Sequence, residues 1–522
     1  MKLEKTKNTV RAIKAGMVLK IYQMLVPFLM RTAMIQFMGV EYLGLNSLFS
    51  SVLQVLNLAE LGVGSAMVFS MYRPIAEDDE RTICALMGLY RKYYRIIGLI
   101  IGAVGLLLTP VVPRLVSGEI PENLNIYILY LLNLGATVLT YWLFAYKNCL
   151  LQAHQRTDMV SVISLITTTI QYGIQLVVIL WIKDYYLYVL VMLATTALNN
   201  LITAAVATHM YPAYKPTGQL EESQIKAIKQ KIRDLFTGKV GYVILRYTDT
   251  LVISSFLGLI VLAVYQNYFF ILSSVMGVLD IIFTAIIAGL GNSFITESKS
   301  KQFADLEKFT FLLMWINGVC LCCFLGLYQT FMHLWVGQEY MLEFAAVICF
   351  ATYFYVYILN RLLNVYKDAA ALWHQDRLRP LITALTNLGL NLLLVNVWGI
   401  YGVLLSTVIS WVMVGIPWII KNLFSTFFER KLMWGYVKQL LGYTLAAVIS
   451  GALVSWICLQ IGVGGWDHLV LCAVVSVSIP NIVFWITFRR NRLLRPSVQL
   501  LDRMTKQKLH LEKFLFRKDL TK

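Results

Sequence analysis

Long apolar segments recur along the whole 522-residue chain, and the breaks between them carry basic or turn-forming residues. A helix needs about 20 apolar residues to cross hydrocarbon about 30 Å thick. Only helices and closed barrels satisfy their backbone hydrogen bonds inside a bilayer. The sequence therefore predicts an all-α, polytopic membrane protein with about 14 transmembrane helices. Their predicted limits are 15–38, 42–71, 94–116, 124–146, 159–182, 186–210, 237–257, 260–295, 309–332, 344–366, 381–398, 401–424, 437–461 and 467–488.

The basic residues support this number of spans, because Lys and Arg gather in the cytoplasmic loops of membrane proteins. With the N-terminus inside, nearly all of the 45 Lys and Arg residues fall in the N-terminal arm, in alternate loops and in the C-terminal tail. Arg114, at the outer end of its predicted span, and Lys183, in a predicted outer loop, are the two on the outer side. The formal net charge of +17 follows from this topology. We therefore expect both termini to be cytoplasmic, and we expect no nucleic acid partner.

A short motif occurs twice at corresponding places in the chain. Tyr146–Lys147 followed by His154–Gln155 recurs as Tyr366–Lys367 followed by His374–Gln375, 220 residues further on. Both copies stand where a predicted transmembrane helix meets a basic loop, so the two halves enter the bilayer in the same sense. Parallel repeats of this kind are typical of transporters built from two lobes.

The second lobe begins where the basic segment 10–14, which precedes the first helix, has its counterpart at 225–229. The residues around this counterpart have the spacing of an amphipathic helix. Such a helix lies on the inner membrane surface or simply connects the lobes, and the pattern leaves both readings open. The predicted organisation is an N-terminal lobe at 1–214 (helices 1–6), a C-terminal lobe at 215–430 (helices 7–12, with the amphipathic lead-in), an added pair of helices at 431–488 and a basic cytoplasmic tail at 489–522.

Motifs for catalysis or cofactor binding do not stand out in the sequence. The 8 Cys residues fall in predicted spans and inner loops, and the 6 His residues lack the spacing of metal ligands. No Gly-rich loop ends in Lys-Ser or Lys-Thr as nucleotide-binding loops do. We therefore expect no cofactor and no metal, and we expect that the protein is not an enzyme.

Seven Lys, Arg, Asp and Glu residues lie more than three residues from either end of a predicted span. Each costs about 2.5–3.5 kcal/mol at the centre of a lipid-facing helix on insertion scales. Most of them are therefore expected to face a water-filled cavity or one another. They are Lys20, Arg31, Glu60, Arg246, Asp249, Asp280 and Arg361.

The cations favour an anionic substrate, because guanidinium groups bind phosphate through paired hydrogen bonds. Lys20 is near the inner end of its helix and is able to snorkel. Arg31 lies eleven residues further in, about 16 Å along the helix, where snorkelling is harder. Arg246 is spaced to pair with Asp249 one turn later. For Arg361, a cavity-lining position and snorkelling are both open.

The acids suggest ion coupling. Glu60, Asp249 and Asp280 are candidates for exchanging protons or binding a coupling cation, as carboxylates in transporter cavities do. The alternative is that each acid pairs with a nearby arginine. Glu60 and Asp280 stand 220 residues apart, but the glycines beside them align at an offset of 227, so the equivalence of the two acids stays open.

The first helical hairpin carries the segment Gly39–Gly44 (GVEYLG) and then Leu61–Ala66 (LGVGSA). In these segments, and in its architecture of two six-helix lobes plus two helices, the chain resembles the Wzx-like oligosaccharide flippases. This family belongs to the multidrug/oligosaccharidyl-lipid/polysaccharide exporter superfamily. The resemblance covers the whole chain.

The resemblance implies a bacterial inner-membrane protein that moves undecaprenyl-diphosphate-linked oligosaccharide to the outer leaflet by alternating access. It also implies that Arg31, Arg246 and Arg361 are candidates for holding the diphosphate or acidic sugars in the cavity. The implied partners are membrane lipid, the lipid-linked oligosaccharide, a coupling ion, and the polymerase and glycosyltransferases of surface polysaccharide biosynthesis.

Two other functions remain in competition. A multidrug or cation exporter of the same superfamily typically has twelve helices and an acid-dominated cavity, whereas this chain has about fourteen predicted helices and arginines within its spans. A polysaccharide polymerase, ligase or acyltransferase would need a large outer loop or a catalytic histidine. The outer loops are short, and His333 and His468 are the histidines near them.

Overall fold

The structure, a computed structural model, describes residues 5–60, 62–117, 120–121, 123–370 and 372–504. These residues form helices, turns and loops, and no β-strand occurs among them. The predicted all-α fold is therefore confirmed. The N-terminal residues 1–4 and the tail beyond residue 504 lie outside the described residues.

The chain divides into two compact units, Met1–Gln266 and Asn267–Lys522. The division falls inside a helix, and the lobe boundary expected near residue 214 stays a prediction. The helices of the first unit, including the one that the division cuts, are α1 (Lys5–Phe37), α2 (Val40–Leu56), α3 (Val63–Ala76), α4 (Glu80–Leu108), α5 (Ile126–Trp142), α6 (Asn148–Ala153), α7 (Thr157–Val177), α8 (Tyr185–Met210), α9 (Glu222–Leu257) and α10 (Leu259–Thr296).

Loop residues cap several of these helices. The Asp79 carboxylate accepts a hydrogen bond from the Thr82 N–H at 3.0 Å at the start of α4. Hydrogen bonding to the Thr82 side chain, and then to the Thr82 N–H, holds the pKa of Asp79 below its ordinary value. Asp184 accepts from the Leu187 N–H at 3.0 Å at the start of α8. Each bond satisfies one of the N–H groups that a helix start leaves without an internal partner.

Helices α1 and α7, α4 and α5, and α5 and α8 pack in pairs within the first unit, and α9 packs against α2 and α3. Gly44 on α2 allows one of these close approaches, because a Cβ there would lie 2.4 Å from the Leu259 carbonyl oxygen. The lead-in segment is the N-terminal part of the 36-residue helix α9. It is therefore continuous with the span that follows it and does not form a separate helix.

The second unit contains α11 (Lys299–Val336), α12 (Phe344–Ala369), α13 (Trp373–Asp376), α14 (Arg379–Ser410), α15 (Ile416–Asn422), α16 (Met433–Ile461), α17 (Trp466–Phe488) and α18 (Leu494–Met504). Helix α11 packs against α12, α16 and α17, and α12 packs against α14. The added helices predicted at 431–488 correspond to α16 and α17. The buried Glu307 on α11 accepts hydrogen bonds from Gln439 at 2.6 Å and Arg492 at 3.1 Å, which fixes this pair to the unit.

Gly399 divides one very long apolar segment into two spans. The helical segment His374–Phe427 has 54 residues, about 81 Å if straight, against hydrocarbon about 30 Å thick. Gly399 has φ 54° and ψ −130°, which no helix adopts. A Cβ at Gly402 would lie 2.3 Å from the Leu394 carbonyl oxygen, so the two arms approach closely. The predicted spans 381–398 and 401–424 are these two arms.

The predicted span 42–71 is broken. Helices α2 and α3 have 17 and 14 residues and are separated by a 3₁₀ turn at Asn57–Glu60. Gly62, with φ 92°, begins α3. Eleven described helices are long and apolar enough to cross a membrane, and the bent pair α5 and α6 raises the number to twelve. With the broken span and the division at Gly399, every predicted span has a helical counterpart, and the chain is a multi-pass membrane protein.

The two copies of the repeated motif fold differently. Helix α5 ends before the first copy, and the chain bends by 50° into the segment Ala145–Ala153. Helix α12 instead continues straight through Tyr366 and Lys367. His154 is buried against the rings of Tyr211 and Tyr214, and burial lowers the pKa of its imidazole. His374 is exposed.

Candidate functional site

Glu60 lies at the break between α2 and α3, at the end of the 3₁₀ turn. A carboxylate within an apolar bundle is costly unless hydrogen bonds satisfy its oxygens. The Tyr141 hydroxyl donates to Oε2 at 2.8 Å, and the Tyr94 hydroxyl donates to Oε1. Hydrogen bonds to charged groups contribute about 1.5–3 kcal/mol each. Tyrosines from α4 and α5 therefore hold the carboxylate in place.

A second layer orients these tyrosines. The Tyr90 hydroxyl donates to the Tyr94 hydroxyl at 2.6 Å, and the Tyr141 hydroxyl is also 3.1 Å from Asn57 Oδ1. The described residues place no Lys or Arg side chain in an ion pair with Glu60. Among the described residues, Glu60 therefore does not pair with an arginine, which was the alternative left open by the sequence.

The glycines of the segment Leu61–Ala66 have a steric role at this site. Gly62 adopts a left-handed conformation, which non-glycine residues seldom adopt. A Cβ on Gly64 would lie 3.1 Å from the Tyr90 hydroxyl and 3.7 Å from Glu60 Oε1. These glycines let α3 begin directly against the carboxylate and its tyrosines.

Polar cavities adjoin Glu60 on two sides. One has a volume of about 300 Å³ and the other about 390 Å³. Hydroxyl and amide side chains in an apolar bundle favour water or a polar ligand. The polar residues lining the larger cavity are Asn57, Glu60, Tyr94, Thr137, Thr140, Tyr141, Asn148, Ser164, Thr196, Asn199, Asn200 and Thr203.

Lys239 lines the smaller cavity with Glu60, and its Nζ donates to the Ser65 hydroxyl at 3.0 Å. A lysine at the edge of a predicted span is expected to snorkel, so its position in the sequence gives no signal of a site. The structure thus brings a cation and a carboxylate to one cavity without pairing them. Chemically, the carboxylate is able to take up a proton, and the ammonium is able to attract an anion.

The other predicted residues of the first unit lie apart from this arrangement. Lys20 is exposed on α1, and the half-buried Arg31 interacts electrostatically with Tyr172 on α7 and Tyr188 on α8. Arg246 is exposed on α9, whereas Asp249 is only 4% exposed. The ion pair that the spacing of Arg246 and Asp249 suggests stays a prediction.

Asp280 and Arg361 meet within the second unit. Arg361 Nε on α12 lies 2.9 Å from Asp280 Oδ1 on α10. Asp280 therefore pairs with an arginine, which is the alternative that the sequence left open for each acid. The two side chains are 39% and 30% exposed. Tyr357 donates to Asp280 Oδ2 at 3.4 Å. The hydrogen bond from Arg361 to Asp280 is donated by Nε.

A more deeply buried charge cluster follows the second copy of the repeated motif. Asp376 is 2% exposed and accepts two hydrogen bonds from Arg379, at 2.6 Å and 2.8 Å. Lys367 Nζ also lies 3.2 Å from Asp376, and Arg379 donates to Asn364 at 2.9 Å. In the sequence, the only sign of this cluster is the i, i+3 spacing of Asp376 and Arg379. Charged residues with that spacing are common in inner loops, so the spacing does not indicate a buried site. The cluster fastens α12 to the start of α14.

Polar residues also join the two arms of α14. Asn387, Asn391, Ser406 and Thr407 are all 0% exposed. The Asn387 amide donates to the Thr407 hydroxyl at 2.8 Å, and the Ser406 hydroxyl donates to Asn391 Oδ1 at 2.5 Å. The described residues hold no group of three or more His, Cys, Asp or Glu side chains arranged to bind a metal ion.

No protein-family model matches this sequence, and no curated protein matches it. Solved structures share its fold. The lipid II flippase MurJ, in an inward closed conformation, is 13% identical, with a TM-score of 0.65 over 92% of this chain and 99% of that chain. A MATE protein in its bent conformation is 13% identical, with a TM-score of 0.51 over 83% and 97%.

An outward-facing multidrug resistance transporter of the MATE family, within the MOP superfamily, is also 13% identical. Its TM-score is 0.50 over 80% of this chain and 94% of that chain. At such identities the likeness shows the fold. The chain therefore has the all-α fold of these flippase and exporter structures.

Proposed function

We propose that this protein is a transporter that moves a diphosphate-linked oligosaccharide lipid across the bacterial inner membrane by alternating access. The observation that carries the proposal is the likeness to a lipid II flippase over 92% of this chain and 99% of that chain. The arginines support an anionic headgroup, because guanidinium groups bind phosphate through paired hydrogen bonds. The proposal places both termini in the cytoplasm and makes the polymerase and glycosyltransferases of surface polysaccharide biosynthesis its functional partners.

Four cations are proposed to hold the headgroup. Arg31, Arg246 and Arg361 come from the sequence, and Lys239 is added because it lines a polar cavity. Arg361 is suited to phosphate because its hydrogen bond to Asp280 uses Nε and a guanidinium carries four further N–H donors.

Glu60 is proposed to couple transport to an ion, with Asp249 and Asp280 as further candidates. Glu60 is favoured because it borders two polar cavities and the groups that donate hydrogen bonds to it are neutral hydroxyls. Proton uptake by the carboxylate would leave Lys239 as the local charge. The cavity would then become more attractive to an anion.

The experiment on cells depletes the protein and follows lipid-linked oligosaccharide. We expect completed units to accumulate on the inner leaflet, out of reach of enzymes added from outside, while surface polysaccharide falls. A polymerase defect would instead leave single units exposed on the outer face. Normal surface glycan with normal outer-leaflet exposure would refute the proposal.

The experiment on purified protein measures flipping of a fluorescent diphosphate-linked oligosaccharide lipid in vesicles. Arg31→Ala and Arg361→Ala should each slow flipping about tenfold, the loss expected for one charge-assisted contact. Lys substitutions should restore only part of the rate, because lysine keeps the charge without the two-pronged geometry. Arg73→Ala is the matched control, since Arg73 is 86% exposed and paired with Glu77.

A multidrug exporter of the same superfamily is the second candidate function. The likeness to MATE structures over about four fifths of the chain supports it, as does the carboxylate of Glu60, which has no cationic partner among the described residues. This function predicts that depletion changes drug resistance and leaves surface glycan unchanged.

The proposed orientation is tested by single cysteines in a background without reactive native thiols. Lys183→Cys, in a predicted outer loop, should react with an impermeant thiol reagent in intact cells. Ser223→Cys, in a predicted inner loop, should not react. Both positions are exposed on the protein surface, so a difference in reactivity reports the side of the membrane. Reaction at Ser223→Cys alone would reverse the proposed topology.

A further inference from the structure

A cleft of about 790 Å³ opens beside the bend between α5 and α6. The residues that line it change from apolar to polar along α8. Leu201, Ala204 and Ala205 form an apolar stretch, and Thr208 and His209 follow one turn further along. Lys147 reaches the same polar end from the bend. The cleft is therefore apolar along one part and cationic at the other, as a site for an amphiphile with an anionic head would be.

The charge of Lys147 is not balanced by an acid. Its Nζ donates to the Thr208 hydroxyl and lies 5.6 Å from the centre of the Phe144 ring. No Asp or Glu of the described residues pairs with it. The corresponding lysine of the second motif copy, Lys367, is paired with Asp368 at 2.7 Å and with Asp376 at 3.2 Å. The same motif thus carries a neutralised lysine in one unit and an uncompensated lysine in the other.

The backbone at the bend brings these groups to the cleft. Phe144 has φ 59°, a left-handed conformation that is uncommon for a bulky residue. The Lys147 N–H donates to its carbonyl at 2.9 Å, which closes the turn. As a result, the Phe144 ring, which is 45% exposed, and the Lys147 ammonium both line the cleft.

We propose that this cleft binds an anionic phospholipid of the surrounding membrane. The phosphate lies at Lys147, Thr208 and His209, and an acyl chain runs along Leu201 and Ala205. The predicted topology places this end of α8 at the inner leaflet, where basic pockets between helices recognise anionic head groups. The cleft adjoins the larger cavity beside Glu60, because Phe144 lines both, but Lys147, Thr208 and His209 line only the cleft. The proposal does not depend on which substrate is transported.

The test measures lipid binding to the purified full-length protein by native mass spectrometry in detergent. Phosphatidylglycerol is the probe, phosphatidylcholine is the zwitterionic control, and inorganic phosphate is added alone in a third arm. Lys147→Gln should weaken phosphatidylglycerol binding about fivefold, the effect of one basic residue at a charged surface. Ala205→Trp should weaken binding of both lipids by filling the apolar part of the cleft.

The matched control is Lys226→Gln, because Lys226 is exposed and paired with Glu222. It should bind phosphatidylglycerol as the unchanged protein does. Monodisperse elution and unchanged helical circular dichroism check that each variant is folded, and the two variants act on different parts of the cleft.

Four results would overturn the proposal. The first is equal affinity of the Lys147→Gln variant and the unchanged protein for phosphatidylglycerol. The second is equal retention of phosphatidylglycerol and phosphatidylcholine by the unchanged protein. The third is displacement of phosphatidylglycerol by millimolar inorganic phosphate, which would assign the site to free phosphate. A dimer that Ala205→Trp dissociates would instead assign the cleft to a second copy of the chain.

Discussion

Glu60 in the first unit and Asp280 in the second are both carboxylates within apolar bundles, but their charges are compensated differently. Tyrosine hydroxyls donate to Glu60 beside two polar cavities. An arginine neutralises Asp280 at 2.9 Å. Hydroxyl donors leave the net charge of Glu60 in place, whereas the arginine removes that of Asp280. The first arrangement leaves a negative charge beside two polar cavities, and the second holds two helices together.

The sharpest test of this difference compares Glu60→Gln with Asp280→Asn. Under the proposed coupling role, Glu60→Gln should slow transport about 100-fold, the scale of lost proton transfer, and should remove its pH dependence. Asp280→Asn should keep the pH dependence. Flipping in vesicles across a pH series measures both. A Glu60→Gln protein with the unchanged pH profile would assign Glu60 to structure.

Removing Asp280 from its pair with Arg361 should mainly affect stability. Asp280→Ala leaves the arginine without its acid and should cost about 2 kcal/mol, less than a fully buried pair because both side chains are partly exposed. The double variant Asp280→Leu with Arg361→Leu should lose less, since neither charge remains. Denaturation in detergent measures the difference. A larger loss in the double variant would contradict the ion-pair account.

The tyrosines that donate to the two acids should also contribute differently to the free energy of unfolding. Tyr141→Phe removes a 2.8 Å hydrogen bond to Glu60 and should lower the free energy of unfolding by about 1.5 kcal/mol. Tyr357→Phe removes a 3.4 Å contact to Asp280, so its effect should be below about 0.5 kcal/mol. The same denaturation experiment compares them, and equal losses would mean that the two acids depend equally on hydroxyl donors.

The smallest effect concerns the glycine beside Glu60. Gly64→Ala would place a Cβ 3.1 Å from the Tyr90 hydroxyl and should cost about 1 kcal/mol at most. Gly135→Ala on α5 is the control, because nothing lies within 4 Å of that Cβ. It should stabilise the helix by about 0.5 kcal/mol. Similar thermal stability of the two variants would show that Tyr90 has room to move.

The helical spans could be predicted from sequence because each rests on a local property, about 20 apolar residues followed by a break. The break within the predicted span 42–71 could not be predicted in this way. Its apolar residues continue across the turn at Asn57–Glu60, and the left-handed backbone at Gly62 becomes evident only from the structure.

The candidate site was predictable only in part. Glu60 is conspicuous in sequence, because a carboxylate in an apolar segment is costly. Its partners Tyr94 and Tyr141 are 34 and 81 residues away and resemble ordinary packing aromatics. The pairing of Asp280 with Arg361 likewise depends on contacts between distant helices, which the spacing of residues along one chain does not encode.

The turn at Gly399 has a consequence for biogenesis. Its neighbours Trp398, Ile400 and Tyr401 carry no charge, so no charged loop separates the arms on either side. Charged flanking residues are what normally orient a single helix as it enters the bilayer. We therefore expect the two arms of α14 to enter together as a hairpin, in which the amides of Asn387 and Asn391 meet the hydroxyls of the opposite arm.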